Sequence, residues 1–285
     1  MRRLALLSDV HANLEALESV LRDVDRQKPD LIVVLGDTIN YGPNPRECLE
    51  LVDRCADIVL AGNHEKEAAV PERDGLEGDA REMLDWTLEQ LDDCHPWEKL
   101  RAQILADGDE RSRSKLKDVT FVHGSASKPV DQYVWPGHPQ HHLQLNRQLD
   151  EWLVALMKPF RTRHAFCGHT HVPSVLTGYD NREIFPIDRD WNRKFTFVGP
   201  HALFYVPAGP ALIEGLSKRR AVINPGSVGQ PRDENPFASW AIYDGESVDF
   251  RRVPYDLVKT GSKILSLPVS LEAREFFADR LAEGV

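Results

Sequence analysis

An α/β fold is predicted by three features of the sequence. Short runs rich in Val, Ile and Leu alternate with amphipathic helical patterns through the N-terminal part, each run ends on Gly, Asp, Asn or His, and 41% of the 285 residues are hydrophobic. That length and composition suit one large domain, or two smaller ones, with a core that needs no covalent staple.

The elements follow in order. Residues 3 to 7 form an apolar strand ending at Ser8 and Asp9, and Asn13 caps a helical pattern with Leu14, Leu17, Leu21 and Val24 on one face. "DLIVVLGD" reads as a buried strand ending at Gly36 and Asp37. Asn44 and Pro45 are a cap and a first-turn Pro, opening a helix that carries Cys48, Leu51, Val52 and Cys55. "DIVLAGNH" is the third strand, and the alternation implies right-handed crossovers and a mainly parallel sheet. Residues 70 to about 118 are charged, helical around Met83, Trp86, Leu88 and Leu91, and without buried strands, so they read as a helical excursion. "VTFVHGS" and "HAFCGHTH" are strands on either side of an amphipathic helix, "HHLQLNRQLDEWLVALM". Beyond them "TFVGPHALFYV", "RAVINPGS", "SWAIYD" and "SVDFRRV" are short β runs that predict a second, more antiparallel sheet, and a helical tail runs from about Pro254.

Bulk properties bound the function. Cys48, Cys55, Cys94 and Cys167 form no C-x-x-C pair, which points away from a disulfide framework or a thiolate zinc site and towards a reducing, cytoplasmic setting. The N-terminal "MRRLALLSDVH" is superficially leader-like, but Ser8, Asp9 and His11 interrupt its apolar patch too early, and no segment has the length to span a bilayer. A net charge of −10 argues against a duplex nucleic-acid surface, which would need Lys and Arg to neutralise phosphates. A phosphorylated substrate stays open, because bound cations can reverse a local field.

The strand ends carry the chemistry. They deliver Asp9 with His11, Gly36 with Asp37, Gly62 with Asn63 and His64, His123 with Gly124, and Gly168 with His169 and His171. In open α/β sheets, ligands bind outside the carboxyl ends of strands, so these groups can converge. His169 and His171, two apart on what should be extended backbone, would point to the same side. Each residue alone has an ordinary explanation as a turn former or a satisfied core histidine. Five strand ends bearing oxygen and imidazole donors are harder to assign to chance. The set holds carboxylate, amide and imidazole but no thiolate, which suits Mn, Fe or Zn in an open site. So many donors exceed what one ion with open positions needs, so two ions are the economical reading, bridged by Asp37.

D-x-H at Asp9 and His11, "GDTINYG" from Gly36, "GNHE" from Gly62, "HG" at His123 and "GHTH" from Gly168 resemble the calcineurin-like metallophosphoesterases in order and spacing, and "INPGSVGQPR" at 223–232 resembles the smaller bacterial and archaeal branch, which includes diadenosine tetraphosphatase-like and phosphodiesterase-like members. The resemblance implies a four-layered α/β/β/α sandwich of two mixed sheets flanked by helices. With no strong domain boundary in the pattern, one domain over residues 1–285 is expected, the helical excursion at about 70–118 being a cap-like insertion. Asp9, His11, Asp37 and His171 would hold one metal, and Asp37, Asn63, His123 and His169 the other. Manganese is the first expectation for both ions, with iron or zinc as alternatives. His64 matches the family's catalytic histidine, which acts on the leaving alkoxide, and Glu65 the residue expected to orient that imidazole. A hydroxide bridging the metals would attack phosphorus.

Substrate groups are assigned more loosely. Asn40 and Tyr41 lie within the second motif, while Ser227 and Arg232 could donate to a phosphate, the alternative being a structural turn with a surface Arg. Phosphoprotein phosphatases carry G-D-x-x-D-R-G at the second motif, whereas this chain has Asn40, Tyr41 and Gly42, so the arginine that would fork onto a phosphate is missing there. The expectation is therefore a phosphoesterase acting on a nucleotide or small phosphodiester. Diadenosine polyphosphate hydrolysis, phosphoprotein hydrolysis, and a non-catalytic binding module like the retromer subunit that resembles this family are the alternatives. Neither a nucleic-acid duplex nor a membrane is expected as partner, and self-association is left open. Trp86, Trp97 and Trp135 could stack on a base, though core packing is the commoner fate of Trp, and His138, His141 and His142 read as a solvated loop or helix start.

Overall fold

The computed structural model describes residues 2–70, 78–135, 151–178, 193–198 and 202–285. Strand β1 (Leu4–Leu7) pairs in parallel with β2 (Leu31–Val34), and β2 with β3 (Ile58–Val59). Between them run α1 (Leu14–Gln27) and α2 (Pro45–Cys55). The Asn13 side chain caps α1 by accepting from the Ala16 N–H, whereas Asn44, at the N-cap of α2, makes no such bond and joins Glu47 and Lys263 instead. Helices α3 (Asn63–Ala69), α4 (Gly78–Gln90) and α5 (His95–Asp107) follow, then β4 (Arg113–Leu116) and β5 (Val119–Val122). The helical stretch α6 covers residues 151–157, ahead of β6 (His164–Phe166), β7 (Ser174–Gly178), β8 (Arg193–Val198), β9 (Ala202–Pro207), β10 (Ala211–Ile213), β11 (Ala221–Asn224), β12 (Ala238–Tyr243) and β13 (Val248–Val253). Helices α7 (Leu257–Leu265) and α8 (Leu271–Glu283) close the chain.

The sheets run β10-β13-β12-β1-β2-β3 and β4-β5-β6-β11-β7-β9-β8. This corrects the division expected from the sequence, a parallel sheet first and an antiparallel one after it. β12 joins the first sheet antiparallel to β1, with Leu4 opposite Tyr243, while β5 and β6 run parallel with β11 in the second. Both sheets are mixed. β4 adds a half-buried strand to the segment read as a helical excursion without buried strands. Its Arg113 and Lys115 hid it from an apolar-run reading, and such charges suit the edge strand it forms.

Strand alternation builds the layers. Leu4, Leu6, Val33 and Leu35 face Phe121, Phe166, Val175 and Ile223 across the two sheets. On the opposite side Ala5, Leu7, Val34 and Trp240 pack against Leu17, Val20, Val24 and Val52 of α1 and α2. The outer face of the second sheet, with Val122, Ala165, Leu176 and Phe204, receives Leu153, Leu156 and Met157 of α6. The result is the four-layered α/β/β/α sandwich. Helix α4 places Met83 and Trp86 against Ile264 of α7 and Phe277 of α8. Trp86 and Trp97 are both buried in apolar clusters, and Trp135 packs edge-on to Phe204, so all three serve packing. His138, His141 and His142 lie outside the described residues.

Candidate metal centre

The parallel strands β1, β2, β5 and β6 end side by side, and the backbone turns sharply beyond them. Asp9, His11, Asp37, His169 and His171 all take positive φ, between 45° and 67°. Such conformations are uncommon for non-glycine residues and cluster where a site over-determines them. The expectation of an extended backbone at 169–171 is therefore corrected: the two imidazoles sit on a left-handed turn and serve different groups. Glycine makes the approach of the turns feasible, because a Cβ on Gly62 would collide with the Asp37 carboxylate and one on Gly168 with the Ser8 hydroxyl.

Two clusters result. One ligand atom each from Asp9, His11, Asp37 and His171 lie within 4.8 Å of one another, as do atoms from Asp37, His123 and His169. Asp37 belongs to both. Its Oδ2 is 3.3 Å from His123 Nε2, 3.8 Å from His11 Nε2 and 4.0 Å from His64 Nε2. Asn63 joins the second group, with Oδ1 3.2 Å from His123 Nε2. Thus all seven expected donors are gathered in one place.

The protons show what this place is built for. His11 Nδ1–H donates to the Ile39 carbonyl at 3.2 Å, His171 Nδ1–H to that of Gln230 at 2.6 Å and His123 Nδ1–H to that of Leu35 at 2.8 Å. A carbonyl only accepts, so in the neutral rings each Nε2 carries a lone pair. His11 Nε2 and His171 Nε2 nevertheless face each other at 3.1 Å, and Asp37 Oδ2 and His169 Nε2 are buried without any hydrogen-bond partner. Acceptors converging on acceptors need a cation between them, and carbonyl-anchored imidazoles are the outer arrangement that metal-ligating histidines adopt. The donor set therefore fits two divalent cations. In the cation-free cluster, burial pushes His11 and His171 well below the usual imidazole range and His169 down to about 3. Burial also lowers His123, but Asp37 outweighs it and lifts this ring to about 9, so His123 carries the proton that a metal would replace.

Other expected site residues divide. Glu65, expected to orient His64, does not contact its ring. Its carboxylate accepts the N–H groups of Asp37, Thr38, Ile39 and Gly62 at 2.6–3.1 Å, leaving it committed to the loop. Asn40, expected on the substrate, supplies the contact that Glu65 does not. Its Oδ1 accepts the Tyr41 N–H at 2.9 Å, which turns Nδ2–H onto His64 Nδ1, also at 2.9 Å. A donor facing Nδ1 leaves the ring proton on Nε2, the nitrogen turned towards Asp37. Ser227 is corrected too: it is fully buried, its hydroxyl donates to the Asp9 carbonyl and accepts from the Gln230 N–H, and so it forms the structural turn. Tyr41 stacks on His11 at 4.6 Å between ring centroids. Arg232 extends Nη2–H to Gln230 Oε1, keeps Nε–H unpartnered, and its charge bears on His11, His64 and His171.

Three contributors escaped the sequence reading. Backbone carbonyls carry no residue signature. Tyr133 stacks on His169 at 3.9 Å, and Asn224, inside a motif that was read for its Gly, Ser and Arg, donates to the Gly168 carbonyl and Thr170 Oγ1 to brace the 168–171 turn. The role of Glu65 gives a testable outcome. Glu65→Gln turns an NH2 towards amide donors, and about 1–3 kcal/mol per orphaned donor should lower the Tm of the metal-free protein by roughly 5–10 °C. Thermal melts check this; an unchanged Tm with reduced turnover would return Glu65 to the imidazole.

A sequence model described as calcineurin-like phosphoesterase matches residues 2–173. An uncharacterized protein of Methanocaldococcus jannaschii is 28% identical over 285 aligned residues, covering 96% of this chain and 97% of its own. Among solved structures, a metallophosphoesterase from Sphaerobacter thermophilus is 32% identical, with 100% of this chain and 99% of that one covered and a TM-score of 0.74. A hypothetical protein from Pyrococcus horikoshii, at 18% identity with 97% and 98% covered, shares the fold at a TM-score of 0.67.

Proposed function

The chain belongs to the calcineurin-like phosphoesterases, and from that membership we propose a phosphoesterase for a small, nucleotide-like phosphate ester or anhydride, with His64 as proton donor and Arg232 as phosphate ligand. The observation that carries this reading is the position of Asp37 in both donor clusters, with the His64 Nε2–H turned towards the same carboxylate. Two divalent cations held by these groups would polarise phosphoryl oxygens and make a water acidic enough to act as nucleophile near neutral pH.

The chain's own residues do the rest. Asp9, His11 and His171 would hold one position, Asn63, His123 and His169 the other, and Asp37 both. Arg232 offers Nε–H and its remaining guanidinium protons to the phosphoryl oxygens, in the fork geometry that phosphate accepts. His64, buried and fixed by Asn40, keeps its proton on Nε2 and releases it to the oxygen of the departing group. Tyr41 walls the cluster where the phosphoprotein phosphatase motif has Arg, which favours a small substrate over a phosphoprotein. The helical excursion over 70–118 is proposed as a cap-like insertion in one domain, and manganese as the preferred ion.

Protein stripped of metal and reloaded with Mn(II) should hydrolyse p-nitrophenyl phosphate or bis(p-nitrophenyl) phosphate, with chelator abolishing the rate and Mn(II) restoring it. Metal-loaded protein that turns over neither ester nor any nucleotide would favour a non-catalytic binding module of the same fold.

A further inference from the structure

Phe277 of α8 stands behind the metal centre and reaches it through a stack of rings. Its ring stacks on Tyr41 with centroids 4.8 Å apart, Tyr41 stacks on His11 at 4.6 Å, and His11 faces His171 at 4.7 Å, the successive planes differing by 28°, 30° and 34°. Phe277 is 2% exposed and belongs to the apolar cluster that α8 forms with Ile264 of α7 and with Met83 and Trp86 of α4, against which Tyr41 also packs. A close-packed core thus presses, through one half-buried ring, on two of the three residues that serve the Asp9 position alone.

The His11 ring needs that backing more than its counterparts do. Its Nδ1–H bond to the Ile39 carbonyl is 3.2 Å long, against 2.6 Å for His171 and 2.8 Å for His123. One hydrogen bond fixes the tautomer yet leaves the ring free to swing about the N–H···O line, and a flat ring stacked on its face removes that freedom. Tyr41 in turn holds a strained place. It and Asn40 take positive φ, 67° and 69°, which for non-glycine residues persists only where neighbours enforce it. Phe277 is such a neighbour, supplied from a distant part of the sequence. The other cation position has no ring of α8 behind it among the described residues: His123 lies edge-on to His169 at 5.0 Å, and His169 stacks on the half-exposed Tyr133.

We propose that Phe277 is a positioning residue for the metal centre. Acting through Tyr41, it holds His11 and, beyond it, His171 in place for one cation, so that α8 sets the affinity of the Asp9, His11 and His171 position and leaves that of Asn63, His123 and His169 alone. This rests on the two-cation reading of the donor clusters and adds an asymmetry to it: one position is preorganised by a remote helix, the other by its own loops. Preorganising a donor set raises affinity by lowering the cost of ordering it, and requires no contact between Phe277 and the ion.

The test is calorimetric titration of Mn(II) into the full-length, metal-stripped protein. Wild type should take up two ions and Asp9→Ala one, which marks the event belonging to each position. Phe277→Leu keeps an apolar side chain at this buried place and loses the flat ring. It should weaken the event that Asp9→Ala abolishes by at least about tenfold, the low end of what outer partners of a metal site contribute, and leave the other event unchanged. Added to Asp9→Ala, it should not alter the affinity that remains. Tyr41→Leu should reproduce the selective loss, whereas Tyr41→Phe, which keeps the ring and drops only the hydroxyl, should bind both ions as wild type does; if Phe277→Leu folds poorly, this pair decides. Both events weakened alike in the Leu variants, or neither weakened, overturns the positioning role and leaves the metal centre standing. A wild type that takes up fewer than two ions overturns the centre itself and this inference with it.

Discussion

Asp37→Ala will empty both cation positions and abolish phosphoester hydrolysis together. Its Oδ2 is buried, unpartnered and, among the described residues, the one carboxylate oxygen approached by rings from both clusters. Removing an outer partner of a metal site already costs about 10–100-fold, so loss of a shared donor should exceed that and reach at least about 10³-fold in kcat/KM. The contrast with Asp9→Ala makes the result specific. Asp9 belongs to one group only, so that variant should retain the ion held by Asn63, His123 and His169. Elemental analysis with steady-state rates checks both, and an Asp37→Ala protein that keeps its metal and its rate would remove the bridge.

His64→Ala should behave differently, losing turnover and keeping metal. The ring is held by Asn40, and its Nε2 stands 4.0 Å from Asp37 Oδ2, outside both donor groups. A positioned general acid contributes about 10²–10⁴-fold, which is the expected fall in kcat with metal content near wild type. The loss should be smallest for esters with good leaving groups, since p-nitrophenolate departs without a proton, and largest for alkyl esters. A uniform loss across leaving groups accompanied by metal depletion would make His64 a ligand.

How much of this was legible follows from where the information lies. His11, Asp37, His123 and His171 could be found because each stands within a few residues of a strand end, and strands announce themselves as apolar runs. Layering was legible through alternation, as in Leu4 and Leu6 against Ala5 and Leu7. Sheet membership was not. That β12 pairs with β1 as well as with its sequence neighbour β13 is decided by long-range packing that no local pattern records. Glu65 was misassigned for the same reason: one position from His64 in sequence, it turns its carboxylate to the amides of 37–39 and leaves the ring to Asn40.

Anomalous diffraction from crystals of Mn(II)-loaded protein, with elemental analysis of the same sample, tests the central assignment most directly. Two peaks per chain should appear, with Asp37 touching both, Asp9, His11 and His171 around one, and Asn63, His123 and His169 around the other. A single peak, or two of which only one contacts Asp37, would contradict it.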